Sequence, residues 1–312
     1  MRSPLSRRSF LAGSAGFAVL TACGSDENGG SGADLTTPIT FPADGTPPLV
    51  DAGSPTLGVR FPDGLRGVTS GFEEGVEARA PFTANSPADS EQAGRPLGED
   101  APDTMDVVVQ FDGQVVSEQT VTARAKGEFT PYYPVVFTPE QAGMYAVVSS
   151  YAPEAPAWLV VNPADTLVSP HLGDVLPVAP TPTTTDTMDF ERICTREPEP
   201  CPFHDVTLEE ALAAGPVALL LATPAFCQTD TCGPSVDLMM SIAPDFADIT
   251  VVHAEVYTEA PTDGNIPLAP LPLQFEMQWE PALWVTDASG LVVAERNWAM
   301  SSDDIRSAMA AV

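Results

Sequence analysis

Residues 216 to 235 read Pro-Val-Ala-Leu-Leu-Leu-Ala-Thr-Pro-Ala-Phe-Cys-Gln-Thr-Asp-Thr-Cys-Gly-Pro-Ser, and no other stretch constrains the fold as much. Pro216 to Ala222 is an unbroken apolar run of strand length, which predicts a strand covered on both faces, as in an α/β sheet. The run stops at Thr223-Pro224. Cys227 and Cys232 follow, ahead of Gly233-Pro234, and Pro234 suits the first position of a helix. Two thiols are thereby expected at the carboxyl end of a buried strand, where open α/β sheets place their chemistry.

The amino terminus reads as a targeting segment. Arg2, Arg7 and Arg8 precede an apolar stretch from Phe10 to Ala22, which is too short and wrongly flanked for a stable span of about 20 apolar residues. Ser6-Arg7-Arg8-Ser9-Phe10-Leu11 resembles a twin-arginine export signal. Leu20-Thr21-Ala22-Cys23-Gly24 resembles the lipobox of bacterial lipoproteins, in which the cysteine after the cut carries the lipid. Residues 1–23 are thus expected to be the signal, with Cys23 lipidated, and the remainder an extracytoplasmic protein anchored to the membrane by acyl chains. Two chains give lasting attachment where one is marginal. The net charge of -30, with 13 basic against 43 acidic residues, repels phosphate backbones and argues against a nucleic-acid partner.

Setting Cys23 aside leaves Cys194, Cys201, Cys227 and Cys232, an even set suited to an oxidising compartment. Four cysteines allow three pairings. Proximity in sequence favours Cys194 with Cys201, as a structural bridge across a Pro-stiffened loop, and Cys227 with Cys232. On a regular helix the latter two would have Cα atoms about 8.7 Å apart, beyond the roughly 4.4 to 6.8 Å of a disulfide. A bond between them therefore excludes regular helix from residues 227 to 232.

Residues 24–50 are rich in Gly, Ser and Pro and read as a flexible tether. Residues 51–165 switch to short β-like runs. The clearest is Met105 to Phe111 and Gln114 to Thr122 around Asp112-Gly113, a tight-hairpin signal. Tyr132 to Thr138, Met144 to Ser150 and Trp158 to Val161 continue at strand-and-turn spacing, so an all-β sandwich of roughly seven strands is expected. Within it, Thr138-Pro-Glu-Gln-Ala-Gly143-Met-Tyr145-Ala-Val147 resembles the tyrosine corner of immunoglobulin-like domains, with Val147 in place of their core cysteine. Residues 166–190 are Pro and Thr rich, including Pro177 to Thr185, and read as an extended linker with His171 exposed in it. Thr207-Leu-Glu-Glu210 has capping-box spacing. A helix from Pro234, a strand over Ile249 to Tyr257, a Pro-rich loop from Glu259 to Gln278, a hairpin from Pro281 to Glu295 and a closing helix from Ser302 follow.

That order of elements over residues 191–312 resembles the thioredoxin-like fold. Phe226-Cys227 stands where the family has Trp-Cys, and Pro281 stands where it has a cis-proline beside the active cysteine. The resemblance implies an α/β domain in which Cys227 is the nucleophile, Cys232 the resolving thiol and Pro281 shapes the substrate groove. The chain departs from the family in three ways. Four residues separate the cysteines, Gly233-Pro234 follows the second of them, and Leu221 occupies the position of the family's buried acid. The cysteine spacing and Thr223-Pro224 are similar to a branch of the peroxiredoxins, yet the peroxide-polarising Arg of that family falls at Pro281.

The fold expected is therefore two-domain, an immunoglobulin-like sandwich and then an α/β thioredoxin-like domain. The function expected is thiol–disulfide exchange through Cys227 and Cys232, acting on exported protein thiols or a membrane redox partner. A redox-inactive scaffold with structural disulfides is the alternative. His204, His253 and Glu255 could join Cys227 and Cys232 around copper, but His253 on an alternating apolar strand reads first as a core residue. No metal site and no cofactor are expected.

Overall fold

The computed structural model describes residues 33–312 apart from 44, 46–52, 60–67, 88–93, 228–230, 263–264 and 278. The export signal, the lipobox with Cys23 and most of the tether therefore lie outside the described residues, as does the centre of the loop between Cys227 and Cys232.

Strands β1 (Thr56–Val59), β2 (Val68–Glu73), β3 (Ala78–Asn85), β4 (Thr104–Phe111), β5 (Gln114–Thr122), β6 (Tyr133–Phe137), β7 (Gly143–Ser149) and β8 (Ala157–Asn162) form two sheets, ordered β1-β3-β6 and β2-β8-β7-β4-β5. That is eight strands where the sequence suggests seven. Phe82, Tyr133 and Val135 from the first sheet share an apolar cluster with Val107, Val109, Tyr145 and Leu159 from the second. The hairpin at Asp112-Gly113 has both residues at positive φ, 47° and 73°, the conformation that suits a two-residue turn between twisted strands. The Tyr145 hydroxyl donates to the Gln141 carbonyl at 2.8 Å, which pins the corner ahead of β7.

The rest of the chain contributes α1 (Leu208–Ala214), β9 (Val217–Leu221), α2 (Cys232–Ile242), β10 (Thr250–Ala254), α3 (Pro270–Gln274), β11 (Ala282–Thr286), β12 (Val292–Asn297) and α4 (Ser302–Met309). The third sheet is ordered β10-β9-β11-β12, with β10 parallel to β9, and β11 antiparallel to both β9 and β12. Every residue of β9 and β11 is buried. Thr207 caps α1 reciprocally with Glu210, and Ser301 caps α4 reciprocally with Asp304, so both helices begin where their first free N–H groups find side-chain acceptors.

The expected two-domain arrangement with an α/β thioredoxin-like domain is not what forms. The described residues are mostly β, with twelve strands in three sheets and four short α-helices, about 14% helical. An α/β sheet needs helices long enough to cover both faces, and here the proline-rich 259–278 stretch permits only the five residues of α3. One face of the third sheet, through Ala218, Leu220, Leu283 and Val285, packs with Val236 and Met239 of α2 and Ile305 and Ala308 of α4. The other face, through Leu219, Leu221 and Trp284, joins the same apolar cluster as the β-rich module.

Residues 166–190 are correspondingly no free linker. Leu176, Ala179 and Phe190 are buried, Trp284 Nε1 donates to the Pro170 carbonyl at 2.9 Å, and Leu176 N–H donates to the Gly290 carbonyl at 2.9 Å. The segment is a strap laid along the sheet. His171 within it is partly buried, its Nδ1 3.4 Å from Glu295 Oε2, a pairing that raises its pKa. Ala33–Val312 accordingly makes one compact unit.

Side-chain contacts fasten the β-rich module to the part of the chain that carries the third sheet. Trp279 lies across Gly71, at φ +113°, where a Cβ would sit 2.7 Å from the indole. Arg79 in β3 meets Asp304 in α4 at 3.0 Å, both side chains being at most 14% exposed, and the Tyr132 hydroxyl also donates to Asp304. Burial tends to raise the Asp304 pKa, but Arg79 and these hydrogen bonds bring the net shift down. Arg79→Met leaves that carboxylate buried without its cation, and should cost about 3 kcal/mol of unfolding free energy, read from urea denaturation. A loss below about 1 kcal/mol would class the pair with ordinary surface bridges.

Candidate functional site

The buried strand β9 ends in a polar turn. Ala222 and Thr223 are fully buried, so their backbone groups have to be paired within the protein. Ala222 N–H donates to the Ala254 carbonyl at 3.0 Å, and the Ala222 carbonyl accepts from His253 Nε2 at 2.9 Å. Thr223 N–H donates to Glu280 Oε2 at 3.0 Å, and the Thr223 hydroxyl accepts from Val256 N–H at 2.7 Å. The turn thus draws two ionisable side chains, His253 and Glu280, into the interior.

Cys227 and Cys232 are joined by a disulfide, with Cα atoms 6.0 Å apart. Helix α2 starts at Cys232. Cys227 is half-buried and Cys232 fully buried. The Cys232 N–H, in the first turn of α2, donates to Cys227 Sγ at 3.3 Å, a contact that favours negative charge on that sulfur. A Glu280 carboxylate oxygen and both sulfurs lie within 4.8 Å of one another. The Glu280–Pro281 peptide bond is cis, and Pro281 is the residue immediately before β11.

Burial is the main cause that pushes the Glu280 pKa up to about 7, with nearby Glu255 adding to it against the hydrogen bonds from Thr223. Burial also raises Glu255, which accepts from Thr195 N–H and the Thr195 hydroxyl at 2.6 and 3.1 Å. Leu221 supplies no acid, yet Glu280 reaches the sulfurs from the other side of the turn. Glu280 immediately ahead of Pro281 was the available sequence signal.

The expected bridge between Cys194 and Cys201 does not form. Both are free and buried, their sulfurs 3.8 Å apart, and they face His204 and His253. Cys201 Sγ lies 3.3 Å from His204 Nε2 and 3.3 Å from His253 Nδ1. Cys194 Sγ lies 3.8 Å from His253 Nδ1, and the two ring nitrogens are 3.2 Å apart. The hydrogen bond between the sulfurs lowers the Cys194 pKa and raises that of Cys201. His253 reaches the group because its own N–H donates to the Phe203 carbonyl at 3.1 Å, laying the 201–204 segment along β10. The copper arrangement weighed from the sequence is not assembled, since His204 and His253 meet Cys194 and Cys201 instead of the bridged pair.

Compared with known proteins, the chain matches no family model and no curated protein. Among the described residues no helix is long and apolar enough to cross a membrane.

Because the folded pKa of Glu280, about 7, lies above the ordinary carboxylate value near 4.3, its contribution to stability is complete below the unfolded value. That contribution falls as pH rises through about 7. Glu280→Gln keeps an acceptor for Thr223 N–H and removes the titration. The wild-type protein should therefore lose stability relative to Glu280→Gln between about pH 4.5 and pH 7, by up to roughly 3 kcal/mol. Parallel stability curves for the two proteins across that range would show that Glu280 does not titrate there.

Proposed function

We propose that this protein exchanges disulfides with exported protein thiols through Cys227 and Cys232, while anchored to the membrane by lipid at Cys23. The observation that carries the exchange chemistry is the pairing of a half-buried and a fully buried sulfur with a buried carboxylate within 4.8 Å of both. The amino-terminal motifs, Arg7-Arg8 and the lipobox at Cys23, support the location.

The step is a two-electron, two-proton exchange. A partner thiolate attacks Cys227 Sγ, the sulfur nearer solvent, forming a mixed disulfide as the Cys227–Cys232 bond breaks. The electron pair leaves on Cys232 Sγ, which is buried and has to be protonated, and Glu280 delivers that proton. The partner's second thiol then attacks the mixed disulfide, so the partner leaves as a disulfide and Cys227 as a thiol. In the reverse direction Glu280 takes the proton from Cys232. A pKa near 7 suits both roles, since general acid–base groups work best when their pKa lies close to the ambient pH.

Thiol trapping in defined redox buffers tests the exchange. A reduced population of Cys227 and Cys232 should appear between about -120 and -270 mV, whereas a bridge that stays oxidised below about -300 mV is structural. Cys232→Ser should accumulate mixed disulfides through Cys227, and Cys227→Ser should not. Glu280→Gln should slow the reduction of the bridge by about 10²-fold. The ratio of wild-type to Glu280→Gln rates should fall as pH rises through about 7, because the deprotonated acid has no proton to give. A ratio that does not vary with pH assigns Glu280 a packing role only.

A further inference from the structure

We infer that Cys194, Cys201, His204 and His253 form a closed, four-coordinate zinc site, separate from the exchange pair. All four side chains are buried, at 5% exposure or less, and one donor atom from each lies within 4.8 Å of all the others.

The spacing of the donors is that of a tetrahedron around one ion. Zinc–sulfur bonds of about 2.3 Å and zinc–nitrogen bonds of about 2.05 Å put tetrahedral ligands about 3.8 Å apart for two sulfurs, about 3.6 Å for sulfur and nitrogen, and about 3.3 Å for two nitrogens. The corresponding separations here are 3.8 Å between the sulfurs, 3.3, 3.3 and 3.8 Å for three of the sulfur–nitrogen pairs, and 3.2 Å between the nitrogens. A disulfide would need the two sulfurs in bonding contact, far closer than they stand.

The tautomer of His253 is set by its surroundings. Its Nε2 faces the Ala222 carbonyl at 2.9 Å, so Nε2 carries the proton and Nδ1 turns its lone pair towards the sulfurs. Fixing a ligating imidazole through its outer nitrogen is the usual device in metal sites. His204 presents Nε2 to the cluster, and its buried Nδ1 has no hydrogen-bond partner among the described residues. With Nε2 as the ligand, Nδ1 carries the proton, so His204, unlike His253, is held in the site by packing and by the 201–204 segment.

Charge selects the ion. Two thiolates and two neutral imidazoles balance a dication, so the filled site buries no net charge, whereas a monovalent copper ion would leave one uncompensated negative charge in the interior. Tetrahedral sulfur and nitrogen ligation favours zinc, and four protein ligands with no open position mark a structural site. Binding displaces both thiol protons, Zn²⁺ + 2 RSH giving Zn(SR)₂ + 2 H⁺, with the imidazoles donating lone pairs, so occupancy falls with acidity.

Elemental analysis of the purified full-length chain should find one zinc per chain. The Cys227→Ser/Cys232→Ser double variant should keep it, while Cys201→Ser and His253→Gln should each lose most of it. Because those ligand variants could fail to fold, the wild-type protein supplies a second readout. With zinc bound, Cys194 and Cys201 should resist alkylation until a chelator and denaturant are added, and should then react as two free thiols. A chain without zinc, a Cys194–Cys201 disulfide in non-reducing mass spectra, one copper in place of zinc, or zinc lost from the Cys227→Ser/Cys232→Ser variant would each overturn the assignment. None of these readouts depends on disulfide exchange, so the site stands or falls apart from the proposed activity.

Discussion

A strand that ends beneath an apolar cover has to satisfy its last peptide groups without water. Here the demand falls on Ala222 and Thr223, and it is met by the side chains of His253 and Glu280 together with the backbone and hydroxyl contacts of β10 and its following residues. Leaving such groups unpaired is costly in a low-dielectric interior. The requirement that completes the sheet therefore also fixes where an imidazole and a carboxylic acid stand.

The two kinds of chemistry grow outward from that turn in opposite directions. Glu280 faces the bridged sulfurs at the start of α2, while His253 turns its other nitrogen towards Cys194 and Cys201. Thr195 adds a cross-link, since its hydroxyl accepts from Ala225 N–H at 3.0 Å and donates to Glu255 at 3.1 Å. The segment that follows Cys194 is thus tied by hydrogen bonds to the loop that carries Cys227.

Local patterns in the sequence found most elements, and long-range pairing decided what they became. The apolar run at Val217–Leu221, the Thr207 capping box and the Asp112-Gly113 hairpin were legible because each rests on residues a few positions apart. The α/β expectation went wrong because covering a sheet face is a global matter. Leu219, Leu221 and Trp284 are apolar whichever partner covers them, and nothing local says that a β-rich module and a Pro-rich strap will take the place of helices. The cysteines show the same division. Cys227 and Cys232 could be paired by position. Proximity pairs Cys194 with Cys201, although their environment depends on His253, more than 50 residues away, arriving through the register of β10 on β9. Glu280 is illegible by position because it meets the sulfurs through the Thr223 turn and not from the strand that carries Leu221.

The contact between Trp279 and Gly71 gives the β-rich module a part in this interior that a spacer would lack. Trp279 and Glu280 are consecutive, and the indole rests where any side chain on Gly71 would have to stand. The module therefore packs against the residue that precedes the acid, and even one methyl group added at Gly71 in β2 would have to displace that indole.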